Sequence, residues 1–389
     1  MSLTGSSLMI AAWLVATATG PTPVVPPAID VSPTTIAFGS CNREDRSQAF
    51  WSTIEGHRPD LCLLIGDNVY ADSRPDDQGR MVSAEPRNAA EIREAYDGLE
   101  SHATWRSFRD SVPILATWDD HDYGLNDAGR EWRLKEASKE ILLDFFDEPA
   151  DSERRSRAGV HHAWNFGPEG RRVQVILLDT RTFRDPLVRR TDEEARGRYR
   201  PDSNPQSTIL GRDQWRWLEE RLEEPADIRI IGSSVQVVPW EHGFECWGNF
   251  PHERRRLFDL IARTGAEGVV LISGDRHLVE ISCTRGDDGI PVPYPIWDFT
   301  SSGLNERSES RVEEPNLFRV GPSLRQSNFG LLHIDWEAPT GPLLTFEARD
   351  DRDRILVAQA VEISSLVPTV RAVDPPAPER PQASPPRGR

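Results

Sequence analysis

Gly268-Val269-Val270-Leu271-Ile272-Ser273-Gly274-Asp275-Arg276-His277 is the stretch on which the fold turns. Its first half is a short apolar run that predicts a buried strand. Its second half delivers an acid, an arginine and a histidine where that strand runs out into a loop. Pro113-Ile114-Leu115-Ala116 leads in the same way to Trp118-Asp119-Asp120-His121-Asp122. Three further strand-like runs end in polar residues, at Ser40-Cys41-Asn42, Gly66-Asp67-Asn68-Val69-Tyr70 and Gly232-Ser233-Ser234. In an open α/β sheet, ligands bind at that edge. A single Gly-Asp after a strand reads as a turn, and a single Asp there as a helix N-cap. The recurrence at several strand ends, with histidines at two, points instead to a metal site.

Working outward, 36–39, 60–65, 113–118, 160–166, 172–178, 228–231 and 269–272 are predicted strands. Helical spacing covers 48–57, 91–108, 131–146, 214–224 and 252–264. The segment 73–90 is polar, with Pro and Gly, and reads as loop. The runs 329–336, 343–347 and 354–360 are expected to be antiparallel strands that close the domain. Strands alternating with helices predict an α/β class. No internal repeat is present.

The chain has 389 residues, 37% apolar, with 12 Trp and 14 Phe, which supports a sizeable core. A formal net charge of -17 disfavours nucleic acid and anionic membranes as partners. It leaves room for a phosphorylated substrate, because bound cations reverse the field locally. Residues 8–15 form an apolar stretch too short to span a bilayer, and Ala16-Thr17-Ala18 fits a small-residue cleavage site. Residues 1–20 are therefore expected to be an export signal, though no Lys or Arg precedes the apolar run. A Pro-rich spacer, 21–33, follows. The expected catalytic domain is 34–362, and 363–389 reads as a disordered Pro-rich tail. Export implies a periplasmic or secreted location, with no transmembrane segment once the signal is removed. Of four cysteines, Cys62 reads as a buried apolar residue, and Cys246 with Cys283 is a possible disulfide.

The motifs Phe38-Gly39-Ser40-Cys41-Asn42, Gly66 to Asp72, Trp118 to Asp122, Leu178-Asp179-Thr180-Arg181, Trp247 with Glu253-Arg254, and Ser273 to His277 occur in one order. That series, from about 36 to 336, resembles the calcineurin-like metallophosphoesterases, and among them the alkaline phosphatase D (PhoD) family. The resemblance implies a four-layer sandwich of two packed sheets with helices outside, and metals at the strand ends. It implies that Asp67 bridges two metals and that Tyr70 and Cys41 bind iron, a phenolate and a thiolate being donors that suit a ferric ion. Without it, Cys41 reads as a buried thiol and Tyr70 as a core aromatic. Asp120 stands where the superfamily has Asn. His121 is then the histidine facing the phosphate, and Asp122 the residue that orients its ring. Asp275 and His277 match a Gly-His-X-His motif whose first His is replaced by Asp.

Asp120 and Asp275 make the second site oxygen-rich, which favours calcium over zinc, while Cys41, Asp67, Tyr70 and His277 keep softer or anionic donors. Other divalent metals remain possible. Asn126 is a further candidate ligand. No His follows Gly232-Ser233-Ser234, where the superfamily often has one. Arg181 could contact phosphate bidentately or pair with a neighbouring acid. Trp240 and Trp247 are candidates for the pocket wall or for the core, His161 and His162 read as structural, and His242 and His252 stay open. The implied activity is an exported phosphoesterase acting on mono- or diesters, of the alkaline phosphatase or phosphodiesterase type, on a small-molecule or lipid-headgroup ester. The rival is a non-catalytic exported metal-binding relative of the same fold. Oligomeric state is not legible.

Overall fold

The computed structural model describes residues 30–191, 197–308 and 312–368. The expected export signal, most of the spacer and the tail from 369 onward lie outside the described residues.

Two six-stranded sheets dominate. In the first, β1 (Thr35–Gly39), β2 (Leu61–Ile65) and β5 (Ile114–Thr117) run parallel. Three strands extend it antiparallel from β1: β12 (Phe329–Asp335), β13 (Leu343–Arg349) and β14 (Ile355–Glu362). The second sheet has the parallel run β7 (Val173–Leu177), β8 (Ile228–Ser233), β9 (Val269–Ser273) and β11 (Ile296–Ser301). Antiparallel β6 (His162–Phe166) and β10 (Val279–Thr284) sit at its two edges. A small hairpin, β3 (Ser73–Pro75) with β4 (Met81–Ser83), stands apart, in a segment expected to be loop.

Strand side chains alternate faces, and the core divides accordingly. Ile36, Phe38, Leu61, Leu63, Ile65 and Leu115 share one cluster with Val175, Ile230, Leu271 and Phe299, so the two sheets face each other across it. Ala37, Cys62, Leu64 and Ala116 point the other way. They pack with residues of α1 (Phe50–Gly56), α2 (Ala89–Ser101), α3 (Ala103–Ser111) and α5 (Lys135–Phe145). Between α3 and α5 lies a single turn, α4 (Asp120–Tyr123). Another short turn, α6 (Glu153–Ser156), precedes β6. On the second sheet, α7 (Gly211–Leu222) and α8 (Pro251–Thr264) contribute Trp215, Leu218, Leu257 and Phe258 to the same apolar cluster.

Two expectations are corrected, and one open alternative is resolved. The helix expected over 91–108 is two helices, because His102 takes extended backbone angles (φ -80°, ψ 123°) between α2 and α3. The tail was placed from 363, yet Ile363 and Leu366 are buried and the Leu366 carbonyl accepts the Gly268 N–H at 2.8 Å. Cys246 and Cys283 are both buried free thiols, not a disulfide. Burial pushes them up to about 12 and about 11 respectively, so each behaves as a small apolar side chain.

Candidate metal centre

The carboxyl ends of β1, β2, β5 and β9 converge, and each passes directly into a site segment. The turns there are tight. Gly66 has φ 113°, and a Cβ on it would stand 2.5 Å from Asp119 Cβ. A Cβ on Gly274 would meet Ser40 Oγ at 2.5 Å and the Ser234 carbonyl at 2.9 Å. Only glycine lets these strand ends approach so closely. The next residues carry left-handed backbone although none is glycine: Cys41 (φ 63°), Asp67 (50°), Asp275 (68°) and His277 (55°). Backbone strain of this kind concentrates where a side chain must be aimed.

Two donor groups result. Cys41 Sγ, an Asp67 oxygen and a His277 ring nitrogen lie within 4.8 Å of one another. Tyr70 joins them, its hydroxyl 3.4 Å from Asp67 Oδ2 and 3.0 Å from His277 Nε2. Beside this group, Asp67 meets Asp120 and His121, Asp119 and Asp120 meet Asp275, and Asp120 meets Asp127 and Glu245, each set within the same 4.8 Å. Every ligand candidate from the sequence is thus brought to one place. Asn126 lines the same cavity, its backbone N–H donating to Asp72 Oδ2 at 2.8 Å.

The electrostatics calls for cations. Burial, together with the surrounding carboxylates, pushes Asp67 well above the usual carboxyl range. Burial raises Asp119 as well, against the pull of Arg181, and lifts Asp275 to about 7 against that of Arg276. Burial alone would raise Asp120 too, but His121 and Arg181 hold it below the usual value. Burial raises the Cys41 thiol and the Tyr70 phenol, and pushes His277 down to about 3. So many acids packed out of water repel one another unless positive charge lies among them. Asp119 Oδ2 and Asp120 Oδ1 are buried and have no hydrogen-bond partner among the described residues. Orphaned anionic oxygens next to sulfur, phenol and imidazole fit a set of cation ligands.

Two role expectations are corrected. Asp122 does not hold the His121 ring. It accepts the Asp119 N–H at 2.7 Å and the Asn68 N–H at 3.2 Å, and it pins the two loops together. The ring is held by Asp72, whose Oδ1 lies 2.6 Å from His121 Nδ1 and which is fully buried. Tyr70 stacks on the ring at 4.1 Å. Arg181 does not line the cavity. It is fully buried, its Nε 2.6 Å from Asp119 Oδ1 and its Nη1 2.8 Å from Glu245 Oε2. Its other guanidinium nitrogen also contacts Asp119. It therefore braces the acids from behind.

A cavity of about 480 Å³ opens on the centre, lined by Asp120, His121, Asp275, His277, Tyr199 and Phe244 among others. Neither Trp240 nor Trp247 lines it. Trp247 is buried and donates to Ser233 Oγ at 2.9 Å. Phe244 takes the wall position, with the Arg276 guanidinium 4.1 Å over its ring. His242 lines the cavity, whereas His252 bonds to the Ser207 carbonyl, and His161 packs edge-on against Trp217. Sequence reasoning missed Asp72, Asp127, Glu245 and Arg276. Asp72 had a signal, five residues past Asp67 in the same motif. Asp127 and Glu245 had none, because only the loops bring them in.

A family profile described as PhoD-like phosphatase matches residues 36–329. Alkaline phosphatase D of Bacillus subtilis (strain 168) is 23% identical over 299 residues, covering 66% of this chain and 48% of that protein. The chain thus spans about half the length of that curated relative. A solved structure described as "Structure of PhoD" superposes with a TM-score of 0.64 at 18% identity, over 86% of this chain and 73% of that one, a likeness of fold. With the strand-end centre and a profile match that spans most of the sequence, the chain belongs to the PhoD-like phosphatase family.

Proposed function

We propose that this protein is an exported, metal-dependent phosphoesterase of the alkaline phosphatase D type, periplasmic or secreted, acting on phosphate mono- or diesters with water as the nucleophile. Its two sheets and outer helices would form the four-layer sandwich of that superfamily. The carrying observation is the clustering of Cys41, Asp67, Tyr70, Asp120, His121, Asp275 and His277, the last two with Asp120 and His121 lining the cavity, and with orphaned carboxylate oxygens nearby. Cys41, Asp67, Tyr70 and His277 would hold iron, and Asp67, Asp120 and Asp275, with Asn126, would hold calcium. Metals there would neutralise phosphoryl oxygens and acidify water.

The chain's own residues supply the rest. Asp72 on Nδ1 fixes the His121 ring so that Nε2 is the nitrogen left for substrate. Burial opposes protonation of that ring, but Asp120, Asp67 and Asp72 outweigh it and raise its pKa well above the usual value. His121 Nε2 would pass a proton to the leaving oxygen or stabilise developing charge. Arg181 holds Asp119 and Glu245 in place. The cavity wall at Tyr199 and Phe244 takes the organic portion of the ester.

The test is turnover of 4-nitrophenyl phosphate and bis(4-nitrophenyl) phosphate, metal-free and with added calcium and iron. Release of 4-nitrophenolate only in the metal-supplemented samples supports the reading. Bound metal with no turnover of either ester would favour the non-catalytic relative.

A further inference from the structure

His242 lines the cavity and is only 2% exposed. Its Nδ1 accepts the backbone N–H of Phe244 at 3.1 Å. An amide N–H can only donate, so Nδ1 is the unprotonated nitrogen, and in a neutral ring the proton sits on Nε2. Burial, with Arg276 nearby, pushes the His242 pKa well down, in keeping with a neutral ring. That Nε2–H is buried and has no hydrogen-bond partner among the described residues. A buried donor left unpaired is costly, and in a native fold it calls for an explanation.

The neighbours narrow what it could meet. Arg276 is engaged by Asp275 at 3.2 Å and by Glu314 at 2.7 Å. Asp127 accepts from the Tyr199 hydroxyl at 2.6 Å. The surrounding acids, Glu245, Asp275, Glu313 and Glu314, disfavour a second anion on that wall. Phe244 and Val312 supply apolar surface. An uncharged oxygen on an otherwise apolar group is the acceptor that fits.

We propose that His242, through Nε2–H, binds the alcohol portion of the phosphate ester and selects for an uncharged oxygen acceptor in it. The subsite rests on the phosphoesterase reading for the identity of its ligand, and His242 itself is not among the residues proposed to hold metal.

Two matched diesters test it, 2-methoxyethyl 4-nitrophenyl phosphate and butyl 4-nitrophenyl phosphate. They share chain length and the departing 4-nitrophenolate, and differ by one ether oxygen. The wild-type protein should favour the first in kcat/KM by about tenfold, the size of one neutral hydrogen bond. In His242→Asn the side-chain oxygen can still accept the Phe244 N–H, as Asn does two residues before an amide, but the Nε2 donor is gone. The ratio should fall to near one. His242→Phe should do the same, with thermal denaturation confirming that both variants fold. Calorimetric Kd values for 2-methoxyethyl phosphate and butyl phosphate, measured on His121→Ala protein with and without the His242 substitutions, read the same preference with turnover suppressed. A wild-type ratio near one in both assays, or a ratio that survives in both variants, overturns the subsite. Selective binding without hydrolysis of any ester would keep the subsite and overturn the phosphoesterase reading. Hydrolysis without selectivity would do the reverse. The 4-nitrophenyl diesters of glycerol and thymidine, run alongside, tell a lipid-headgroup source from a nucleotide source by which depends more on His242.

Discussion

At the scale of single residues, the centre is assembled by neighbours that correct one another's charge. His121 lies between Asp72, Asp67 and Asp120, and replacing it with Ala should lower kcat by roughly 10² to 10⁴, the range for a group that moves a proton. Steady-state rates on a chromogenic ester at matched metal content check this. Asp72→Asn should keep the fold and KM while lowering kcat by about 10-fold to 100-fold, because the amide no longer enforces the Nδ1–H tautomer. Asp122→Asn, lacking any contact with the ring, should act on stability instead, and equal kcat losses in the two variants would contradict this division of roles. Arg181→Ala leaves Asp119 buried without its cation and Glu245 with Arg184 alone, and should cost about 3–5 kcal/mol in denaturant unfolding. A variant of native stability with a raised KM would show instead that Arg181 grips the substrate.

At the scale of elements, the parallel strands supply position and the turns after them supply aim. Gly66→Ala would force a Cβ into Asp119 at a backbone angle that alanine rarely adopts. The loop carrying Asp67 must then move, so the variant should retain less than half of its metal by elemental analysis even where it still folds. Most strands were legible because they are short apolar runs. Apart from the small β3–β4 hairpin, the strands that were not read, β10 and β11, place Glu280, Ser282, Asp298 and Thr300 in buried positions. They are satisfied locally. Asp298 accepts the Val237 and Val238 N–H groups at 2.9 Å each, and Arg319 pairs with Glu280. Buried but partnered polar residues look like surface in a sequence. The break at His102 was equally hidden, since the apolar spacing continues from Tyr96 and Leu99 to Trp105 while the backbone between them turns extended.

Across the whole molecule, the two sheets share one apolar core, and the charged centre sits at its edge. Removing cations should therefore loosen the protein as well as silence it. A chelator should lower the Tm, and calcium should restore it, because a ligand present at 100 times its Kd stabilises the folded state by about 2.7 kcal/mol. A Tm indifferent to chelation and readdition would mean that the acids balance their charge without metal. The family, the α/β class and the positions of Cys41, Asp67, Tyr70, Asp120, His121, Asp275 and His277 were all determined by the sequence. Strand-forming runs and the Gly-Asp turns that end them are local properties, written in consecutive residues. Only the tertiary structure decided that Asp72 rather than Asp122 orients His121, that Arg181 faces inward to Asp119 and Glu245, and that His242 reaches the cavity. Those relations join residues dozens of positions apart. They depend on which loops the two sheets bring together, and a one-dimensional pattern carries no distance between such loops.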